Sequence, residues 1–165
     1  MEVNIINFIE IEPSGRMWIG TPEGVVWGRN GRWNIDEKYL EFVGVAFNGR
    51  KTFIISEEWL WEVTSKNKWI EIELNHRQFK GLLIDAEIDS KGRLWLASEI
   101  VTRTDPATGG IEPFAAPEYY TSEFAAQIKV DQDDALWIGT RDKGCLLYTS
   151  PSPRDLSTSR MPSSA

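Results

Sequence analysis

The sequence predicts an all-β fold, a partial β-propeller with about three complete four-stranded blades and a truncated fourth. Three observations predict it. The first is a stretch that recurs in phase. Asp89-Ser90-Lys91-Gly92-Arg93-Leu94-Trp95-Leu96-Ala97-Ser98 returns as Asp131 to Thr140 and appears earlier as Glu12 to Thr21. A worn copy, Phe47 to Ser56, carries one extra residue and has Phe53 in the tryptophan's place. The blade anchors Trp18, Phe53, Trp95 and Trp137 therefore stand 35, 42 and 42 residues apart, a spacing that means a repeat architecture. The second observation is turn chemistry. Asp-x-x-Gly lies between two apolar runs, the Asp able to accept from backbone amides two residues on and the Gly able to take a positive φ. The third is burial on both faces of the strand that follows. Trp95 and Ala97 share one face, as do Trp137 with Gly139 and Trp18 with Gly20. Leu94, Leu96, Leu136 and Ile138 occupy the other. A large ring followed by a tiny residue implies a second sheet pressing close, as in a propeller blade.

Each unit divides into strands. The first has Ile5 to Ile11, Met17 to Thr21, Gly24 to Trp27 and, after the hairpin signal Asn30-Gly31, Arg32 to Ile35. The second has Phe42 to Phe47, Thr52 to Ser56, Leu60 to Val63 and Trp69 to Leu74. Trp27 matches Trp61 in the third strand, and Trp33 matches Trp69 in the fourth. The third unit has Leu82 to Ile88, Leu94 to Ser98, Ile100 to Thr104 and Ile111 to Phe114. The fourth has Ala126 to Val130, Leu136 to Thr140 and Leu146 to Tyr148, with no fourth strand following. The blades then fall at about 1–36, 37–75, 76–116 and 117–148.

Residues 149–165 differ in character. Eleven of these 17 are Ser, Thr or Pro, too polar to offset the entropy of ordering, so a disordered tail is expected. Leu147 to Asp155 and Ser159 to Ala165 also resemble a translated sequencing-adapter run, which implies a non-native tail on a fragment.

Composition narrows the partners. The chain has 165 residues, 41% of them hydrophobic and 26% charged, as in a globular domain. The net charge of −7 without a Lys/Arg cluster argues against nucleic acid and anionic membrane as partners. The single Cys145 excludes an internal disulfide and a cysteine metal site. No apolar run reaches the roughly 18 residues of a membrane span, and Met1 to Asn4 has no basic region leading into an apolar stretch, so a signal peptide is not expected in this stretch.

The pattern Asp-x-x-Gly-x-Leu-Trp-Ile-Gly-Thr resembles the two-component regulator propeller repeat, over Glu12 to Gly24, Asp89 to Ser98 and Asp131 to Gly144. The second unit departs from it, with Phe53 for Trp, Ile55 for Gly and no Asp before the turn; in the fourth, Ala135 follows Asp134 where Gly is expected. The resemblance implies a bacterial ligand-recognition (sensor) segment, periplasmic or otherwise extracytoplasmic. It further implies a glycan or other small ligand, and a kinase module elsewhere in the native protein. The blade pattern also looks like streptogramin-lyase-type propellers, which are enzymes. A protein–protein scaffold is a third reading.

The candidate chemistry is sparse. His76 is the only histidine, and a lyase-type site needs a histidine and acidic metal ligands converging on the channel. The chain is therefore expected not to be an enzyme and to use no cofactor and no metal. Asp131-Gln132-Asp133-Asp134 lacks the Gly and the distant Glu of a calcium loop, and Glu57-Glu58 reads as a solvated turn. The candidate ligand residues lie on one rim, in the loops joining blades: Tyr39; His76, Arg77 and Phe79; Tyr119 and Tyr120. Aromatic faces beside polar groups suit sugars or peptides, and the same rings could instead plug crevices between blades. Open apolar faces at both ends of the run imply an isolated chain that self-associates, two copies completing one ring.

Overall fold

The computed structural model of the chain describes residues 5–38, 41–64, 66–72, 81–105, 110–113, 125–141 and 144–148. The tail from residue 149 lies outside them. The fold is all-β and unclosed, a partial propeller of antiparallel meanders. Blade 1 is β1 (Phe8–Ile11), β2 (Met17–Thr21), β3 (Gly24–Arg29) and β4 (Arg32–Asp36). Blade 2 is β5 (Phe42–Phe47), β6 (Thr52–Ser56), β7 (Leu60–Val63) and β8 (Trp69–Ile72). Blade 3 is β9 (Asp85–Ile88), β10 (Leu94–Ala97), β11 (Val101–Asp105) and β12 (Gly110–Pro113). Blade 4 has three strands among the described residues: β13 (Ala125–Val130), β14 (Leu136–Thr140) and β15 (Cys145–Tyr148).

The turn entering each second strand explains the repeat. Asp89 Oδ1 accepts from the amides of Lys91 (3.0 Å) and Arg93 (2.9 Å), which closes the turn. Its Oδ2 accepts from Arg93 Nε (2.6 Å) and from the indole Nε1 of Trp95 (3.2 Å). Asp131 does the same with Asp133 N (3.0 Å), Ala135 N (2.9 Å) and Trp137 Nε1 (2.9 Å). In blade 1 the longer Glu12 reaches Trp18 Nε1 at 2.8 Å. An indole N–H is costly to bury without an acceptor, and in these three blades the turn carboxylate supplies one. Blade 2 lacks both partners. Asn48 closes the turn onto Arg50 N and Lys51 N (3.1 Å each), and Phe53 has no N–H to satisfy. Its loop, Asn48 to Lys51, is one residue shorter than the others rather than longer. The missing glycine of blade 4 is also resolved. Asp134 takes the left-handed conformation (φ 60°) that Gly92 takes in blade 3 (φ 81°).

The second strands end alike. Thr21 Oγ1 donates to Gly24 O (2.9 Å), Ser98 Oγ to Ile100 O (3.0 Å) and Thr140 Oγ1 to Gly144 O (2.9 Å), while Ser56 Oγ accepts from Trp59 N (3.1 Å). Side-chain bonds also link each turn to the next blade's. Thr52 Oγ1 donates to Glu12 (3.1 Å), Asn48 Nδ2 to Asp89 O (3.5 Å), and Ser90 Oγ to Asp134 (2.6 Å).

Three apolar clusters fill the three gaps between blades. Trp18, Val25 and Trp27 meet Phe42, Val45, Ile54 and Trp61. Phe53, Ile55 and Leu60 meet Leu83, Ala86, Leu94 and Leu96. Trp95, Ala97 and Val101 meet Ile128, Leu136 and Ile138. Each anchor thus faces the following blade, and the residue after it faces the preceding one.

Two further sequence-based readings need correction. Trp27 pairs with Trp18, whereas Trp61 pairs with Ile54, so the two are one position out of step. They point from opposite blades into the same gap. The small residue two places after the anchor also answers to its own sheet. A Cβ on Gly20 would lie 2.0 Å from the Phe8 ring on the paired strand β1.

The Asp134 turn gives a test. Asp134→Gly and Asp134→Ala both lose the two bonds from Ser90 (2.8 and 2.6 Å), but alanine alone keeps the left-handed strain. Urea unfolding should show the alanine variant about 1 kcal/mol less stable than the glycine variant. Equal stabilities would show that the turn stores no strain there.

Candidate functional site

Successive first strands lie side by side, so their inward positions converge. The residue paired with each anchor is Glu10, Ala46, Glu87 and Lys129 in turn. Two places earlier stand Phe8, Gly44, Asp85 and Gln127. Together with Asn7 these, except Ala46, line a cavity of about 190 Å³ between the first strands of all four blades, while Ala46 is buried in the apolar cluster between blades 2 and 3. The alternate positions on the same strands, Val45, Ala86 and Ile128, are buried in the gaps between blades. One strand face therefore builds the core, and the other, apart from Ala46, builds a polar site.

Asp85 is the most enclosed acid of the site. Its Oδ2 accepts from Ile128 N of the next blade (2.9 Å) and its Oδ1 from Ala86 N (2.8 Å). Burial nevertheless pushes its carboxyl up to about 6. Burial pushes Glu87 up to about 7, against the opposing pull of its ion pair with Lys129 Nζ. Burial alone would lower Lys129, but its bond to Glu87 and the charges of Glu87, Glu10 and Asp85 outweigh this and raise it. The site thus carries a fixed ammonium beside two carboxyls that exchange protons near neutral pH. It can accept and donate hydrogen bonds to a small polar ligand, and it can take or give a proton.

The blade anchors are where the repeat places them: Trp18, Phe53 and Trp95 are buried, and Trp137 is half-buried. The rim candidates Tyr39, His76, Arg77, Phe79, Tyr119 and Tyr120 lie outside the described residues. On that rim the described residues include Trp59, 45% exposed on the turn between β6 and β7, and Leu82, 49% exposed. Glu57 is less solvated than a simple turn residue. Burial, and then Glu41 beside it, raise its carboxyl above the ordinary value. Among the described residues no group of three or more His, Cys, Asp or Glu is placed to hold a metal ion.

Sequence reasoning missed Glu10, Asp85, Glu87, Lys129 and Trp59. A signal for the first four exists. Asp85-Ala86-Glu87-Ile88 and Gln127-Ile128-Lys129-Val130 alternate polar and apolar residues, as does Ile9-Glu10-Ile11. Strands packed between blades on one face have no other reason to carry charge at every second place.

No protein-family model matches the sequence, and no curated protein matches it. Solved structures do match in fold. The extracellular domain of the candidate hybrid two component system BT3049 from B. thetaiotaomicron is 17% identical over 89% of this chain, with a TM-score of 0.68. A catalytically inactive virginiamycin B lyase from Staphylococcus aureus with quinupristin is 15% identical over 93%, with a TM-score of 0.70. A streptogramin B lyase is 15% identical over 95%, with a TM-score of 0.71. The chain spans 23% of the two-component domain and 55% of each lyase.

These neighbours correct the expectation that the chain is not an enzyme. The lyases match it as well as the two-component domain does. The expectation rested on a single histidine, but a channel site draws side chains from every blade around it. A chain spanning 55% of a lyase's length cannot be judged on its own histidine count.

The Glu87 shift has a sign that can be measured. A carboxyl raised in the folded state favours folding below its ordinary value of 4.5, and that gain is lost as pH climbs through about 7. The thermal midpoint should fall across that window, and Glu87→Gln should flatten the fall. Identical slopes in both proteins would show that Glu87 titrates normally.

Proposed function

We propose that this chain is a ligand-recognition segment of an extracytoplasmic sensor propeller in a bacterial two-component signalling protein. The polar cavity carries the reading: first strands from four blades send Asn7, Glu10, Asp85, Glu87, Gln127 and Lys129 to one place. Such a lining suits a small, hydroxyl-rich ligand such as a glycan unit, which exchanges many hydrogen bonds and needs little apolar wall. The repeat on Asp89 and Asp131 and the fold likeness to extracellular two-component domains support the signalling context. We further propose that longer ligands stack on rim aromatics, for which Tyr39, His76, Arg77, Phe79, Tyr119 and Tyr120 are the candidates from sequence and Trp59 the exposed ring among the described residues. In the whole protein a kinase module receives the signal.

A lyase-type propeller enzyme is the second reading, favoured by one observation. Asp85 at about 6 and Glu87 at about 7 are poised for general acid and base work at neutral pH.

Thermal shift against a panel of neutral and acidic oligosaccharides tests the first reading. A binder at about 100 times its Kd should add roughly 2.7 kcal/mol of stability. The Asp85→Asn/Glu87→Gln double variant should lose that gain. No shift with any member would contradict the sensor reading, and chromatographic conversion of quinupristin would favour the second.

A further inference from the structure

Three arginines stand in one row across blade 1. One place beyond the Met17–Gly28 pair come Arg16 and Arg29, and Arg29 pairs directly with Arg32 across the β3–β4 hairpin. Side chains alternate along a strand, so this row shares a face with Trp18, Trp27 and Asn34, the face that meets blade 2. A Cβ on Gly15 would lie 3.7 Å from Arg29 Nε, so the Arg29 head group lies beside the β1–β2 turn that carries Arg16. Like charges directly opposite one another destabilise a sheet. The chain carries a net charge of −7, so general basicity does not explain the row.

The row has little to neutralise it. In blades 2 and 3 the cation two places before the anchor has a close acid: Lys51 Nζ lies 3.4 Å from Glu62, and Arg93 Nε 2.6 Å from Asp89. Arg16 Nε lies 4.0 Å from Glu12 Oε2, and Glu12 already accepts from Ser14, Trp18 and Thr52. Arg29 and Arg32 form no ion pair among the described residues. The three arginines line a cavity of about 220 Å³ with Trp27, Asn34 and, from the turn between β7 and β8 of blade 2, Asn67. Among the described residues no carboxylate lines it. Trp27 is 8% exposed, and its Nε1 is a buried donor with no acceptor among the described residues. The wall offers positive charge and N–H donors without the acceptors they need.

We propose that this cavity between blades 1 and 2 is an anion site that takes a tetrahedral oxyanion, a phosphate or sulfate group. Guanidinium groups meet such oxygens through parallel N–H donors, and their charge assists each bond. A carboxylate offers two oxygens to three guanidiniums, whereas a phosphate or sulfate group offers three or more. The bound anion offsets the repulsion within the row. The site is separate from the axial cavity, since no residue lines both. The β1–β2 and β3–β4 turns lie at one end of the sheet, so the site opens at the end opposite the rim that carries Trp59.

Thermal shift of the full 165-residue chain tests this with sodium sulfate, phosphate and acetate, sodium chloride holding the ionic strength constant. The variant is Arg29→Gln/Arg32→Gln; both side chains are exposed, circular dichroism checks that it folds, and Arg32→Gln alone serves if it does not. Sulfate and phosphate also stabilise proteins without a site, by exclusion from the surface, so the readout is saturation. The wild-type midpoint should rise and level off with sulfate or phosphate, and the variant should need about tenfold more anion. Without either anion at low salt, the variant should melt no lower than the wild type, because the opposed charges are gone. Glucose 6-phosphate and glucose 6-sulfate, titrated alongside, tell a phosphate ester from a sulfate ester. A wild-type rise that never levels off would overturn the site, and so would equal saturation in the variant. Acetate saturating as tightly as sulfate would overturn the tetrahedral assignment.

Discussion

The hydrogen bond from an anchor indole to a turn carboxylate six residues earlier is the constraint on which the blades depend. Trp18 to Glu12, Trp95 to Asp89 and Trp137 to Asp131 are three instances of it. A tryptophan brings the largest apolar surface available to a gap between sheets, but its N–H is costly to bury without an acceptor. A carboxylate in a tight turn is held by backbone amides and has an oxygen left over. Each group satisfies what the other lacks, and the bond fixes the second strand against its turn. Blade 2 changes both members together: Phe53 has no N–H, and the neutral Asn48 suffices to close the turn.

The fold was legible because this constraint leaves a sequence trace. Asp-x-x-Gly followed by Leu-Trp at a fixed distance gives the turn, the strand and the buried ring at once. Register was less legible. Trp27 and Trp61 look equivalent as the tryptophan of each third strand, but they stand nine and eight residues after their anchors, and one position decides which face a side chain takes. The role of Gly20 was misjudged because sequence cannot show that Phe8 on the adjacent strand already occupies the space.

The candidate site was harder to read because its residues are ordinary charged types scattered over three strands. Asp85, Glu87, Lys129 and Glu10 become a group only when first strands gather around one axis. Their alternation with Ala86, Ile88 and Ile128 is the legible part; their shared cavity is not. The same geometry explains why fold likeness reaches both lyases and extracellular two-component domains. The blade scaffold is set by turns and anchors far from the axis, and the inward positions are free to vary on it.

A double-mutant cycle on Asp89 and Trp95 tests the central constraint most directly. Trp95→Phe removes the N–H while keeping an aromatic ring in the gap. If the indole bond holds the turn, Asp89→Ala should cost about 1.5–3 kcal/mol less in the Trp95→Phe background than in the wild type, by urea unfolding. If Asp89→Ala costs the same in both backgrounds, the carboxylate serves its turn alone and the recurrence of tryptophan has another cause.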